Sequence, residues 1–551
     1  MITMRNTIAY VFIFMITLVS CDEFLDFNQE DYYKKDQVFS EFVFATRVLN
    51  NTYAYLPGGL NEIGPSMRAS ASDDAVEVKD FSPVHIMNDG RWRADRTVDC
   101  QWASLYTGIR AVNNYLENHD ESIMEARRFD DAYLQQLAEH RTFPYQARFL
   151  RAYYYFELMR RYGGVPLLDG KILTLAETNN QQRNSLEEII NFIVDECDAI
   201  VDKLPLDYEA DLSGNHHGRA TNGAAMALKA RTLLYAASPL YGNSSQEKWA
   251  AAAEASHAII DSGWYSLEGN YSDVVNNTHS VELIMGNRLA RTNHFERNNF
   301  PAGFEEATPG TSPSQNLVDT YEMANGMAID DPGSGYDPDN PYENRDPRLK
   351  QTIIVNNSTF KGRAIEIWNG GLDGPPQRYA TKTGYYLKKY VQEGVSLDPY
   401  NPSTAFHLWV LFRYGEVLLN FAEAMNEAYG PLADPEGYGM TAIDAMNMIR
   451  NRAGLPDYAG DMSTEAVREK IRDERRVELA FEDHRFWDIR RWEILAENSE
   501  IRGMEITQNA DETFSYNTRV VEQRMWEPWM SFYPIPRNEV DITNMPQNPG
   551  W

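Results

Sequence analysis

Cysteine is nearly absent, with three in 551 residues. Cys21, Cys100 and Cys197 form no CxxC pair and no metal-spaced Cys/His cluster, which excludes a disulfide-stapled or zinc-braced scaffold. Cys100 and Cys197 fall on stretches that read as helix, and either one disulfide or a pair of buried free thiols fits them. Positive charge is also scarce: 51 Lys plus Arg stand against 81 Asp plus Glu, a formal net charge of -30. So acidic a surface excludes nucleic acid, whose phosphates need a basic footprint. GxSxG, HExxH, the P-loop and the Rossmann glycine pattern are all missing, so no enzyme and no cofactor are expected. Long apolar runs are missing too. The run from Ile8 to Val19 falls short of the roughly 18 residues that would suggest a membrane span.

That run follows Arg5 and ends Leu18-Val19-Ser20-Cys21, so residues 1–20 read as a secretion signal. Small residues before a cysteine resemble the bacterial lipobox, which implies cleavage before Cys21 and lipidation of that residue. An ordinary signal peptide with a chance cysteine is the alternative.

Aromatic residues are plentiful, at 12% with 32 Tyr and 11 Trp. Aromatic faces pack on pyranose C–H groups while polar neighbours take the hydroxyls, so this excess points to a sugar-binding surface. Apolar spacing predicts helices from Val38 to Leu56, from Trp102 to Glu117 and from Arg148 to Tyr162. Gly163-Gly164-Val165-Pro166 stops the third. Ser185 with Glu188 is a capping-box pattern opening a fourth, which Leu204-Pro205 closes. Small residues from Arg219 to Tyr241, an Ala-rich partner from Trp249 to Ser262, and the stretches Leu411–Ala428 and Thr441–Arg452 continue the series. Helices paired at this spacing resemble tetratricopeptide pairs. Between about 270 and 402 Pro, Gly, Asn and Asp dominate, with short strands expected at Thr352–Val355 and Tyr385–Val391. Loops this long inside a compact protein are usually functional.

From Glu465 to Trp492 the chain reads EAVREKIRDERRVELAFEDHRFWDIRRW. At about 100° per residue, Val467, Ile471 and Ile489 share one stripe, and Glu474, Arg475, Glu478, Glu482 and Arg485 fall within roughly 60° of Ile471. Charge on the apolar face implies carboxylates and guanidiniums carried inward, where they must pair. The alternative is an exposed helix laced by i,i+4 pairs. ERRVELAFEDHRFWDIRRW resembles the C-terminal signature of the SusD/RagB family of Bacteroidetes outer-membrane lipoproteins, and FYPIPRNEVDITNMPQNPGW, from Phe532 to Trp551, resembles that family's closing motif. FLRAYYYFELMRRYGGVPL, GRATNGAAMALKARTLLYAASPLY and YENRDPRL are also family-like. In such lipoproteins acidic residues like Asp22 and Glu23 resemble a surface-export signal.

The resemblance implies a mainly α fold: four tetratricopeptide-like helical pairs as scaffold, with a loop-rich, small-strand ligand-binding region packed on it. The expected organisation is a signal peptide at 1–20, a helical region at 21–270 and a C-terminal region at 271–551. The last divides into loops (271–402), helices (411–498) and a closing tail (499–551). The implied function is capture of an oligosaccharide at the cell surface and its delivery to a SusC-like TonB-dependent outer-membrane transporter. Lipid on Cys21 would anchor the chain to the outer membrane, facing outward. A peptide cargo, a scaffold that binds protein only, and a surface glycoside hydrolase are the alternatives.

Ligand contacts are expected from aromatics in irregular segments. The family commonly supplies a stacking aromatic and an amide just before the helix near residue 100, so Trp92 is the first choice, with Asn88 or Asp89 as polar partners. Trp368 and Asn369 in EIWNGGLDG come second, with Tyr379 after them. Asp73, beside Asp74, reads as a turn residue or one ligand-facing acid, since a glycosidase needs two carboxyls across a cleft. His216-His217 reads as an exposed pair. The acidic loop from Asp330 to Asp346 lacks EF-hand spacing, so no metal is expected.

Overall fold

The computed structural model describes residues 38–39, 41–168, 170–208 and 218–551. The signal segment, Cys21 and His216-His217 lie outside the described residues. Within them are nine helices of twelve residues or more. These are α1 (Phe42–Tyr53), α2 (Trp102–Asn118), α3 (Tyr133–Tyr162), α4 (Leu186–Ile200), α5 (Asn222–Ala237), α6 (Gln246–Asp261), α7 (Tyr414–Tyr429), α8 (Ala442–Ala453) and α9 (Thr464–Glu478).

From α2 to α8 each helix packs on the next, and α9 packs on α7 and α8. This gives four successive pairs. The third is split: α6 and α7 are neighbours in the stack, yet the loop-rich region lies between them in sequence. That region is therefore an insertion within the solenoid, held at both ends by packed helices.

Local chemistry explains the ends. Ser185 accepts from the Glu188 amide and Glu188 returns the bond, a complete capping box. Thr221 and Ser245 cap α5 and α6. Gly163, at φ +72°, ends α3. Helix α3 begins well before Arg148 and runs through Pro144. Full burial of Phe143 and Ala147 beside that proline offsets the roughly 3 kcal/mol an internal proline costs. The segment Leu411–Arg413 is strand rather than helix.

Strands are short and all antiparallel: β1 (Ala75–Glu77) with β3 (Thr311–Pro313), β2 (Leu283–Arg288) with β8 (Leu408–Arg413), β4 (Ile353–Ile354) with β7 (Tyr386–Leu387), and β5 (Thr359–Phe360) with β6 (Arg363–Ala364). The tail opens with the longest ribbon, β9 (Glu500–Gln508) against β10 (Phe514–Gln523).

The stretch from 465 to 492 is two helices. After α9, Phe481 and Asp483 take φ +61° and +69°, and a second helix runs from Arg485 to Arg491. Ile489 thus shares no stripe with Ile471. The break comes where Leu479, Ala480 and Phe481 turn into the core, each 3% exposed or less.

Cys197 is buried and Cys100 is exposed, and both are free thiols. The expectation that both are buried on helices fails for Cys100, which precedes α2.

Candidate functional site

The loop-rich insertion is fixed to the scaffold by buried charge. Arg348, just after the acidic loop, donates to Asp346, to Glu474 Oε1 at 2.5 Å and to Glu478 Oε2 at 2.9 Å. Arg413, the last residue of β8, donates to Glu478 Oε1 at 2.7 Å and to Glu482, while Arg452 of α8 reaches the same Glu478 oxygen at 2.5 Å. Burial alone would push the Glu478 carboxyl up, but Arg452, Arg413 and Arg348 together hold it well below the usual range. Glu474 is raised, because burial outweighs Arg348 and Arg450. Lys389 donates to Glu482 at 2.6 Å, and burial still brings its ammonium down to about 8. Arg475 pairs with Asp488, and Arg485 forms a two-bond pair with Asp73 at 2.8 Å. No member of this set faces solvent, so its role is to hold loops against helices.

The same pairing removes Asp73 from the ligand candidates. It is fully buried, with Arg476 and Arg485 on its carboxylate. Trp92 needs the same correction. It is 2% exposed, with its ring set edge-on against Tyr533 at 4.6 Å and Trp551 at 4.8 Å, so neither face is open to a sugar. Asn88 is also buried and donates its amide to the Ser70 carbonyl. Asp89 is exposed and paired with Arg91, but no open aromatic stands at Trp92 for it to assist.

The second group lies elsewhere, and it is accessible. Trp368 is half-buried and packs on Phe514 of β10 at 5.0 Å. Phe514 lies 6.4 Å from Tyr516, and Tyr516 meets the buried Tyr342 edge-on at 5.5 Å. Asn369 is exposed beside Trp368, and its amide lies 3.5 Å from Glu505 of β9. Tyr379 is half-buried, and its hydroxyl accepts from Arg378. No ring contact joins it to the Trp368 row.

Tyr516 also walls a cleft of about 420 Å³ whose lining includes Asn340, Asn356, Asn357, Ser358, Thr359 and Lys388. The Asn356 side chain is fixed at both ends: its oxygen accepts from the Ile367 amide at 3.1 Å, and its nitrogen faces the Tyr516 hydroxyl at 3.4 Å. Burial pushes the Tyr516 phenol up, which keeps it a neutral donor and acceptor. Half-exposed rings leading to a cleft lined by amides and hydroxyls form a surface on which sugar rings can pack while their hydroxyls are bonded. A larger cleft of about 500 Å³ lies near Arg219 and Trp264, but the chain between Tyr208 and Gly218 lies outside the described residues.

Phe514, Tyr516, Asn356 and Lys388 are absent from the sequence-based candidates. The signal was present in FSYNTRVV, where Phe514, Tyr516, Thr518 and Val520 alternate as in a strand. Among the described residues no group of three His, Cys, Asp or Glu could hold a metal ion, and no helix is long and apolar enough to cross a membrane.

Residues 282–551 match the family described as "SusD family", and residues 23–234 match "Starch-binding associating with outer membrane". A SusD-like protein of Formosa agariphila is 25% identical over 98% of this chain and 97% of its own length. A crystal structure of a SusD-like protein from Bacteroides fragilis superposes with TM-score 0.77 at 26% identity, covering 94% of this chain and 99% of that one. A second from the same organism, described as a SusD-like carbohydrate-binding protein, gives TM-score 0.74 at 25% identity, over 92% and 99%.

Proposed function

The chain belongs to the SusD-like family, and from that premise we propose that it is a cell-surface glycan-binding lipoprotein. It captures an oligosaccharide and delivers it to a SusC-like TonB-dependent transporter of the outer membrane. The observation that carries the reading is the row Trp368–Phe514–Tyr516 ending at the amide-lined cleft. It lies on loops and a hairpin, the kind of segment that commonly carries binding residues, while buried ion pairs fix the loop-rich insertion to a helical stack. Support for the glycan comes from the description of the relative from B. fragilis, and support for the membrane from the family matched at residues 23–234. Lipid at Cys21 would hold the protein beside its transporter and raise the effective concentration of one for the other.

We assign it no catalysis. Asp73, Asp74, Glu474, Glu478 and Glu482 are each engaged by arginine, which suits architecture better than proton transfer. The test is a glycan array with the purified chain, followed by calorimetry on the hits and chromatography for chain shortening. Binding without shortening supports the reading. A blank array, or binding of peptides only, refutes it.

A further inference from the structure

Lys388 stands in the 420 Å³ cleft as a cation without a carboxylate. Of the cleft's charged groups, Glu343 and Lys350 pair with each other at 3.4 Å. The Lys388 ammonium instead donates to the Lys350 carbonyl at 3.0 Å, and among the described residues no carboxylate lies within ion-pair distance of it. Its backbone is held by the Thr352 carbonyl at 2.9 Å, where β7 leaves β4. The position is therefore set by the fold and not by a floppy side chain alone. Asp337, on the adjoining loop, spends both oxygens on the Asp339 amide and the Asn340 side chain.

Lys388 thus presents a half-buried ammonium with no carboxylate partner beside a phenol and fixed amides, in a chain of net charge -30. An ammonium there has two of its three donors left over after the carbonyl is served, and a charged acceptor makes the stronger bond. Resting on the glycan reading above, we propose that the oligosaccharide taken at this cleft is anionic. A carboxylate or sulfate ester meets Lys388, while the adjoining sugar ring packs toward Tyr516. Uronic acids and sulfated sugars share this chemistry.

The test uses an array of neutral, uronate-bearing and sulfate-bearing oligosaccharides. Calorimetry then compares the best ligand with its neutralised partner, methyl-esterified for a uronate or desulfated for a sulfate ester. We expect the anionic member to bind at least tenfold more tightly, the preference to shrink as salt rises, Lys388→Gln to abolish it, and Lys388→Arg to restore most of it. Which arm binds identifies the acidic group. Hits confined to neutral glycans, or an anionic preference that Lys388→Gln leaves intact in a variant of unchanged melting temperature, overturn this inference and leave the glycan reading standing. A blank array overturns both.

Discussion

Arg413 grips Glu482 through two parallel hydrogen bonds, Nε to Oε2 at 2.7 Å and Nη2 to Oε1 at 2.9 Å. One residue closes a strand that borders the loop-rich insertion. The other follows the last scaffold helix. A third donor, Nη1, serves Glu478 and Glu282, and a side chain at Gly415 would collide with this guanidinium. Truncating Arg413 takes one partner from each of three buried carboxylates, although Lys389 still reaches Glu482, and Arg348 and Arg452 still reach Glu478. Breaking a buried pair from one side costs about 3–5 kcal/mol. Arg413→Met is therefore expected to lower urea stability by about that much. Lys in its place recovers only part, since an ammonium cannot form the two-bond fork.

Trp368 and Trp92 are both loop tryptophans in sequence, and the fold gives them opposite fates. Trp368→Ala and Tyr516→Ala should each weaken glycan binding at least tenfold in calorimetry while shifting stability little, because both rings are half-open. Trp92→Ala should cost about 3–5 kcal/mol of stability, as expected for an emptied aromatic site in a core. Its binding should be close to wild type in whatever fraction stays folded.

That contrast marks the limit of reading the chain alone. The Ser185–Glu188 cap was legible because its partners are three residues apart, and the helical series was legible from spacing within each segment. Charges on the apolar face of 465–478 told that acids turn inward, but their partners at Arg348, Arg413 and Arg452 come from distant segments. Trp92 misled for the same reason: Tyr533 and Trp551, which cover it, lie at the far end of the chain. The β9–β10 hairpin escaped notice because β10 has no fully buried residue, so no alternation between core and solvent marks its sides.

The two described cysteines should differ in chemistry. Cys100 is exposed, whereas burial pushes the Cys197 thiol far up, and the thiolate is the reactive form. Iodoacetamide labelling of the native chain, mapped by mass spectrometry, is expected to modify Cys100 and spare Cys197 until denaturant is added. Equal labelling of both without denaturant would contradict the packing of α4.

His140 on α3 is fully buried, its ring stacked 4.6 Å from His119 and tilted against Phe143 at 5.3 Å, with neither ring nitrogen hydrogen-bonded. Burial, and then His119, push its pKa down to about 4 from 6.5, while Glu121 and Asp120 pull weakly the other way. With the folded value below the unfolded one, the unfolded chain binds more protons between about pH 6.5 and 4, so stability must fall as pH drops through that window. A tenfold change in proton affinity corresponds to about 1.4 kcal/mol, so the group withdraws at most about 3 kcal/mol by pH 4. His140→Phe keeps an aromatic ring among Phe42, His119 and Phe143 and cannot be protonated. Urea unfolding at pH 7 and pH 4.5 should show the variant losing less stability on acidification than wild type. Parallel losses in the two proteins would mean that the ring is protonated in the folded chain as readily as in the unfolded one, and that its burial carries no penalty.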